Sequence, residues 1–134
     1  MKDQTVEQYR EVIASCKEIF AKKTKDYGTA WRILRLPSIT DQIFIKAQRI
    51  RSIQDKGSQK VQEDIGSEFI GIINYCIMAL IQMDLKESDE MEIPYEALEP
   101  KYDKAADDTL ELLKNKNHDY GEAWREMRVS SITD

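Results

Sequence analysis

Proline and glycine are scarce, three and five among 134 residues, and that scarcity excludes a turn-rich fold of many short strands. Histidine occurs once, at His118, with no second His or Cys beside it to share a metal or a proton. No Ser-His-Asp set, Walker loop or Cys-x-x-Cys pair is present, so the commonest hydrolase, P-loop and zinc readings fall away. No uninterrupted apolar run of about 18 residues occurs, and the opening Met1-Lys2-Asp3-Gln4 is polar. Neither a membrane span nor a secretory signal is therefore expected. The two cysteines, Cys16 and Cys76, both fall on apolar stripes, and buried, reduced thiols in a cytoplasmic protein are expected.

Charge is plentiful, with 34% of residues ionisable and a net charge of −5. It is unevenly spread. From Lys17 to Lys60 there are 11 basic residues against 4 acidic, and from Val61 to Lys116 there are 5 against 14. A globally acidic chain is poorly suited to gripping duplex DNA through its phosphates. A basic segment set against an acidic one suits a small phosphorylated ligand with a divalent cation. Solvated helix faces would give the same count.

The chain repeats itself at a spacing of 93 residues. Asp26-Tyr27-Gly28-x-Ala30-Trp31-Arg32 returns as Asp119-Tyr120-Gly121-x-Ala123-Trp124-Arg125, and Ser38-Ile39-Thr40-Asp41 returns as Ser131-Ile132-Thr133-Asp134. Of 18 aligned positions from Thr24 to Asp41, 11 are identical. A unit of this length is a small fold in itself, too long for a solenoid repeat. Two copies suggest a pseudo-twofold molecule, an oligomer interface within one chain. The expected organisation is a first helical unit over 1–84, an acidic linker over 85–100 and the opening of a second unit over 101–134, cut short. Asp84 to Glu99 holds seven carboxylates, expected to be solvated and tolerant of change.

Helical periodicity runs through the first unit. Thr5-x-x-Gln8 has the form of a capping box, and Val6, Tyr9, Val12, Ile13, Cys16, Ile19 and Phe20 then mark one face of a helix reaching about Lys23. A short helix is expected before Pro37, then one over about Ile39 to Gln54, broken at Gly57-Ser58. From Gln62 to Met83 the chain is apolar almost all round, and such a helix must be covered all round. Part of the cover is expected from a second subunit, with Tyr75, Ile77 and Met78 at a homodimer interface, or from the missing half of the second copy. Pro100 is expected near the start of a helix reaching about Lys116.

Three groups of residues could carry chemistry. Glu68, with Asp64 a turn earlier and Glu63 beside it, could hold Mg²⁺ on a phosphorylated ligand. Glu68 could equally pair with Lys46 or Arg49 as a buried bridge, since a lone buried carboxylate is costly. Lys46 and Arg49 share a helix face and suit phosphate, and solvated cations would look the same. Tyr27 and Trp31 could stack on a base, Asp26 accept from a base or sugar, and Arg32 meet phosphate. The competing reading is a helix stop whose aromatics plug the bundle. Asn74 lies among apolar neighbours and is a further ligand candidate.

The string Lys25-Asp26-Tyr27-Gly28-x-Ala30-Trp31-Arg32, with Ser38-Ile39-Thr40-Asp41, Lys46-x-x-Arg49 and Glu68-Phe69-Ile70-Gly71-Ile72-Ile73-Asn74-Tyr75, resembles the nucleotide modification associated domain 1 family. More distantly it is similar to the MazG-like all-α nucleotide pyrophosphatases. Those enzymes bind Mg²⁺ with paired acidic helices and cleave between the α and β phosphates. Here the second acidic helix aligns as Glu68-x-x-Gly71, without the Asp.

The expectation is thus an all-α, MazG-like helical bundle, one full unit plus the first part of a tandem second. The resemblance implies binding of a nucleotide or modified nucleotide, with Mg²⁺-dependent pyrophosphohydrolysis as the associated activity. Lys46, Arg49 and Arg32 would meet phosphate, Tyr27 and Trp31 the base, and Asp64 and Glu68 the metal, with Glu68 and Lys46 catalytic. The alternative is a non-catalytic helical interaction or dimerisation module. Single-stranded nucleic-acid binding is disfavoured by the overall acidity.

Overall fold

The computed structural model describes residues 3–56, 64–85 and 89–133. Met1, Lys2, Gly57, Ser58, Lys60, Val61, Gln62, Glu63 and Asp134, named above, lie outside the described residues, as do 86–88 of the linker. Among the described residues the structure is all-α, with no strand. Helix α1 (Asp3–Tyr27) leads through a 3₁₀ turn (Ala30–Ile33) to α2 (Leu36–Lys56), then α3 (Ile65–Asp84) and α4 (Tyr95–Tyr120). A second 3₁₀ turn (Ala123–Glu126) and a short α5 (Val129–Thr133) follow. The succession of long helix, left-handed glycine, 3₁₀ turn and helix therefore occurs twice, with Gly28 at φ 62° and Gly121 at φ 73°.

Several boundaries differ from the expected ones for local reasons. Helix α1 runs on to Tyr27, because Gly28 is the first residue able to adopt the left-handed conformation that ends it, its N–H donating to the Thr24 carbonyl at 2.7 Å. Pro37 does not stop a helix. It sits in the first turn of α2, where its missing N–H would be unpaired anyway. Thr5 and Gln8 do not form a capping box, since α1 begins at Asp3 and their side chains bind the second 3₁₀ region instead. Helix α4 begins at Tyr95, inside the segment read as linker, and Pro100 falls within the helix rather than beside its start.

Helix α3 is the centre of the bundle, packed chiefly on α2 and also on α1 and α4. Its length and composition would let it cross a membrane, a property that counting uninterrupted apolar runs does not reveal. Its polar residues, however, are tied to neighbouring elements. Asn74 donates its amide N–H to the Cys16 carbonyl on α1 at 3.0 Å and accepts from the Tyr102 hydroxyl on α4 at 2.8 Å. Tyr102 is fully buried, and burial pushes its hydroxyl well above the ordinary tyrosine range. Around this link pack Phe20, Trp31, Ile77, Ile81 and Leu98, with the Phe20 and Tyr102 rings 4.7 Å apart.

Helices α1 and α4 run antiparallel. The Tyr9 hydroxyl donates to the Ala106 carbonyl at 2.8 Å, and Lys17 meets Asp103 at 2.9 Å and Glu99 at 3.1 Å. The hydrogen bond to Asp103 holds the Lys17 ammonium above the usual lysine range. Two expectations are corrected here. Cys16 is buried but Cys76 is exposed on the outer side of α3. Ile77, expected at a subunit interface, is 5% exposed and belongs to the core.

Asn74→Leu would leave the Tyr102 hydroxyl and the Cys16 carbonyl without their partner in the interior. The expected cost is about 1–3 kcal/mol, measured as a lowered urea midpoint. An unchanged midpoint would remove this link from the account of the fold.

Candidate functional site

The candidate site residues separate into two places at opposite ends of α3. Glu68 and Gln82 mark those ends and are 14 residues apart in sequence, about 21 Å at 1.5 Å of rise per residue. A single pocket uniting Tyr27, Arg49 and Glu68 is therefore not what the structure assembles.

At the N-terminal end, Glu68 is buried, 5% exposed. Lys46 and Arg49 reach it from α2, Lys46 to one carboxylate oxygen and Arg49 to the other, both at 3.6 Å. Their spacing of three puts both on the α2 face turned toward α3. These are ion pairs beyond hydrogen-bond length, and Glu68 Oε2 has no hydrogen-bond partner among the described residues. The Lys46 side chain is largely covered, whereas that of Arg49 is more than half exposed. The cluster carries two positive charges against one negative, with Arg49 as its open side.

Gly71 is what lets Lys46 in. A Cβ there would lie 2.8 Å from both Cδ and Cε of Lys46, so the lysine stem occupies the volume a side chain would take. The ammonium then sits 5.9 Å from the centre of the Tyr75 ring. Gly71 is thus a passage for a lysine. Asp64 lies on the exposed turn before α3 as its N-cap, accepting from the Ser67 N–H at 2.6 Å. That backbone hydrogen bond draws its carboxyl below the ordinary range.

At the C-terminal end of α3, Trp31 and Arg32 are buried, 8% and 7% exposed. Gln82 fastens their 3₁₀ turn, donating to the carbonyls of Arg32 at 2.8 Å and Leu34 at 2.9 Å while accepting from the Arg32 guanidinium. Arg32 also donates to the carbonyls of Asp89 and Glu90 in the linker. Thr29, 1% exposed, donates to the Met91 carbonyl at 2.6 Å and accepts from the Ile93 N–H at 3.1 Å. A Cβ at Gly28 would run into the Glu92 carboxylate. The linker is thus in part a packed strap over this motif rather than wholly solvated. Asp26 and Tyr27 are exposed at the end of α1, and Asn74 is engaged in the core bridge.

The second motif is built more openly. Arg125 donates to Glu122, Thr5 and Gln8, and stacks 4.7 Å over Trp124, which is 44% exposed. The Trp124 indole N–H donates to Asn117 at 3.0 Å, whereas its counterpart on Trp31 has no partner among the described residues. Thr24 stands where the repeat has Asn117, and the difference follows from that exchange.

Sequence reasoning did not assign a role to Gln82, Thr29 or Tyr102, each a neutral polar side chain in no recognisable motif of its own. For Tyr102 a signal existed, since its counterpart 93 residues earlier is Tyr9.

Replacing Glu68 by Gln removes the anion that both cations face. The expected loss is about 1–3 kcal/mol of stability, followed by chemical denaturation with helicity at low denaturant unchanged. A variant as stable as the parent would mean that the cluster does not support the fold.

Comparison with curated proteins and with solved structures finds no match. The profile of nucleotide modification associated domain 1 matches residues 23–83 and again 116–134. The second match begins 93 residues after the first, in register with the repeat. Together these segments span more than half of the chain, which belongs to the nucleotide modification associated domain 1 family.

Proposed function

We propose that this protein binds a nucleotide, canonical or modified, through the cluster of Lys46, Arg49 and Glu68 between α2 and α3. The observation that carries the reading is a buried carboxylate with an oxygen that no donor among the described residues meets, set loosely between two cations at 3.6 Å. Buried acceptors are nearly always satisfied, and one that is not points to a missing partner. A ligand that brings N–H or O–H donors to Glu68 and an anion to Arg49 would complete both halves. A nucleotide has sugar hydroxyls or base amines for the first and phosphate for the second. The net positive charge of the cluster favours the anion, and the family's association with nucleotide modification supports the same ligand class.

Mg²⁺ fits these residues poorly. Glu68 already faces two cations, Asp64 is bound to its helix N-terminus, and no group of three or more acidic, His or Cys side chains converges among the described residues. Mg²⁺ asks for oxygen ligands in near-octahedral array, and Gly71 withholds the one the resemblance would supply. Binding is therefore assigned to this cluster and hydrolysis is not. Tyr75, with Lys46 beside its ring, is the aromatic at this end of α3. Tyr27 and Trp31 belong to the far end.

Titration calorimetry with nucleoside mono-, di- and triphosphates is the test. Arg49→Ala should weaken binding roughly tenfold or more, the value of one charge-assisted phosphate contact, with little change in melting temperature because Arg49 is exposed. Arg125→Ala at the second motif should leave affinity unaltered. Absence of heat for every nucleotide, or equal affinity in the Arg49 variant, would overturn the assignment.

A further inference from the structure

Helix α3 is covered on two sides and open on a third. Glu68, Gly71 and Tyr75 meet Lys46 of α2, and Gln82 fastens the 3₁₀ turn. Asn74 bridges α1 and α4, and Ile77 and Ile81 lie in the core beside Phe20 and Tyr102. The remaining side carries Phe69, Ile72, Cys76, Leu80 and Met83. The first two are half-buried, Cys76 is exposed, and Leu80 and Met83 are 41% and 64% exposed. Steps of three, four, four and three residues make this stripe a helix-packing seam.

The seam reads the same in both directions about Cys76. When two such helices lie antiparallel across a twofold axis at that residue, position 69 opposes 83, 72 opposes 80, and 76 opposes itself. Apolar side chains then meet along the whole contact, and the interface is self-complementary as a twofold requires. Alongside lies a groove of about 440 Å³ between the C-terminal half of α3 and α4, which Leu80, Met83, Thr109 and Leu112 help to line. It extends the open face onto α4.

We infer that α3 pairs with α3 of a second copy of this chain, antiparallel about a twofold at Cys76, with the partner subunit's Phe69 and Ile72 entering the groove beside Leu80 and Met83. The assignment rests on the seam and the groove beside it and is independent of nucleotide binding.

Sedimentation velocity at micromolar concentrations, with a short bismaleimide as crosslinker, tests it. The chain should sediment as a dimer and crosslink through Cys76, the reaction vanishing in Cys76→Ser, because Cys16 is buried and unreactive. Leu80→Glu should yield a helical monomer, while Phe44→Glu, at an exposed apolar residue of α2, should leave the dimer intact. A folded monomer at tens of micromolar would overturn the inference. So would a dimer that Phe44→Glu dissociates and Leu80→Glu does not, or one that Cys76 cannot crosslink. If Leu80→Glu fails to fold, crosslinking of the unaltered chain decides.

Discussion

The arrangement of this bundle depends on how α3 is tied down. A helix this apolar would slide and rotate against apolar neighbours with little cost, since one greasy surface resembles another. Asn74 removes that freedom. Its amide must satisfy both a donor and an acceptor in the interior, and only one rotation of α3 presents it simultaneously to the Cys16 carbonyl on α1 and the Tyr102 hydroxyl on α4. Once that rotation is set, Glu68, Gly71 and Tyr75 face α2, and the Cys76 seam faces outward.

The same rotation places Gln82 under the 3₁₀ turn that follows Gly28. The Asp-Tyr-Gly-x-Ala-Trp-Arg string, the most conspicuous in the sequence, is largely a fastening. Its glycine ends α1, its Trp fills the core, and its Arg ties α3 to the strap that leads into α4. The second occurrence shows what the string does with other neighbours. There Arg125 reaches the start of α1 through Thr5 and Gln8, and Trp124 stays partly open. In each case the Arg joins its motif to the opening of the other unit or to the strap leading into it, so the pair of motifs closes the antiparallel α1–α4 arrangement at both ends.

Much of the fold is legible in the sequence because it is written in period and scarcity. The stripe from Val6 to Phe20, the apolar stretch around Phe69 to Met83 and the few prolines and glycines specify long helices without reference to tertiary structure. Misplaced boundaries trace to residues whose local meaning is ambiguous. Pro37 can end a helix or open one, and Thr5-x-x-Gln8 can cap a helix or bind a distant arginine. The candidate site was legible as a set of residues and not as a place. Sequence shows that Lys46 and Arg49 share a face and that Glu68 needs a partner, but the distance between the two ends of α3 separates them from Tyr27, Trp31 and Arg32. A motif's conspicuousness carries no information about which end of a helix it occupies.

Gly71 shows most clearly how one residue can redirect a site. A carboxylate at this position, as the distant resemblance would have it, would fill the volume that the Lys46 stem occupies, where a Cβ alone would approach the chain to 2.8 Å. With the glycine, an ammonium enters beside Glu68, and what would be a pair of acids is a single acid between two cations. The net charge of the cluster is reversed, from that of two acids to that of one acid between two cations. Yet the lysine and arginine stop at 3.6 Å and leave Glu68 without a hydrogen bond from either. The charge of the acid is balanced while its hydrogen-bonding capacity is not, and a ligand with both an anionic and a donor group answers that imbalance better than a bare ion of either sign.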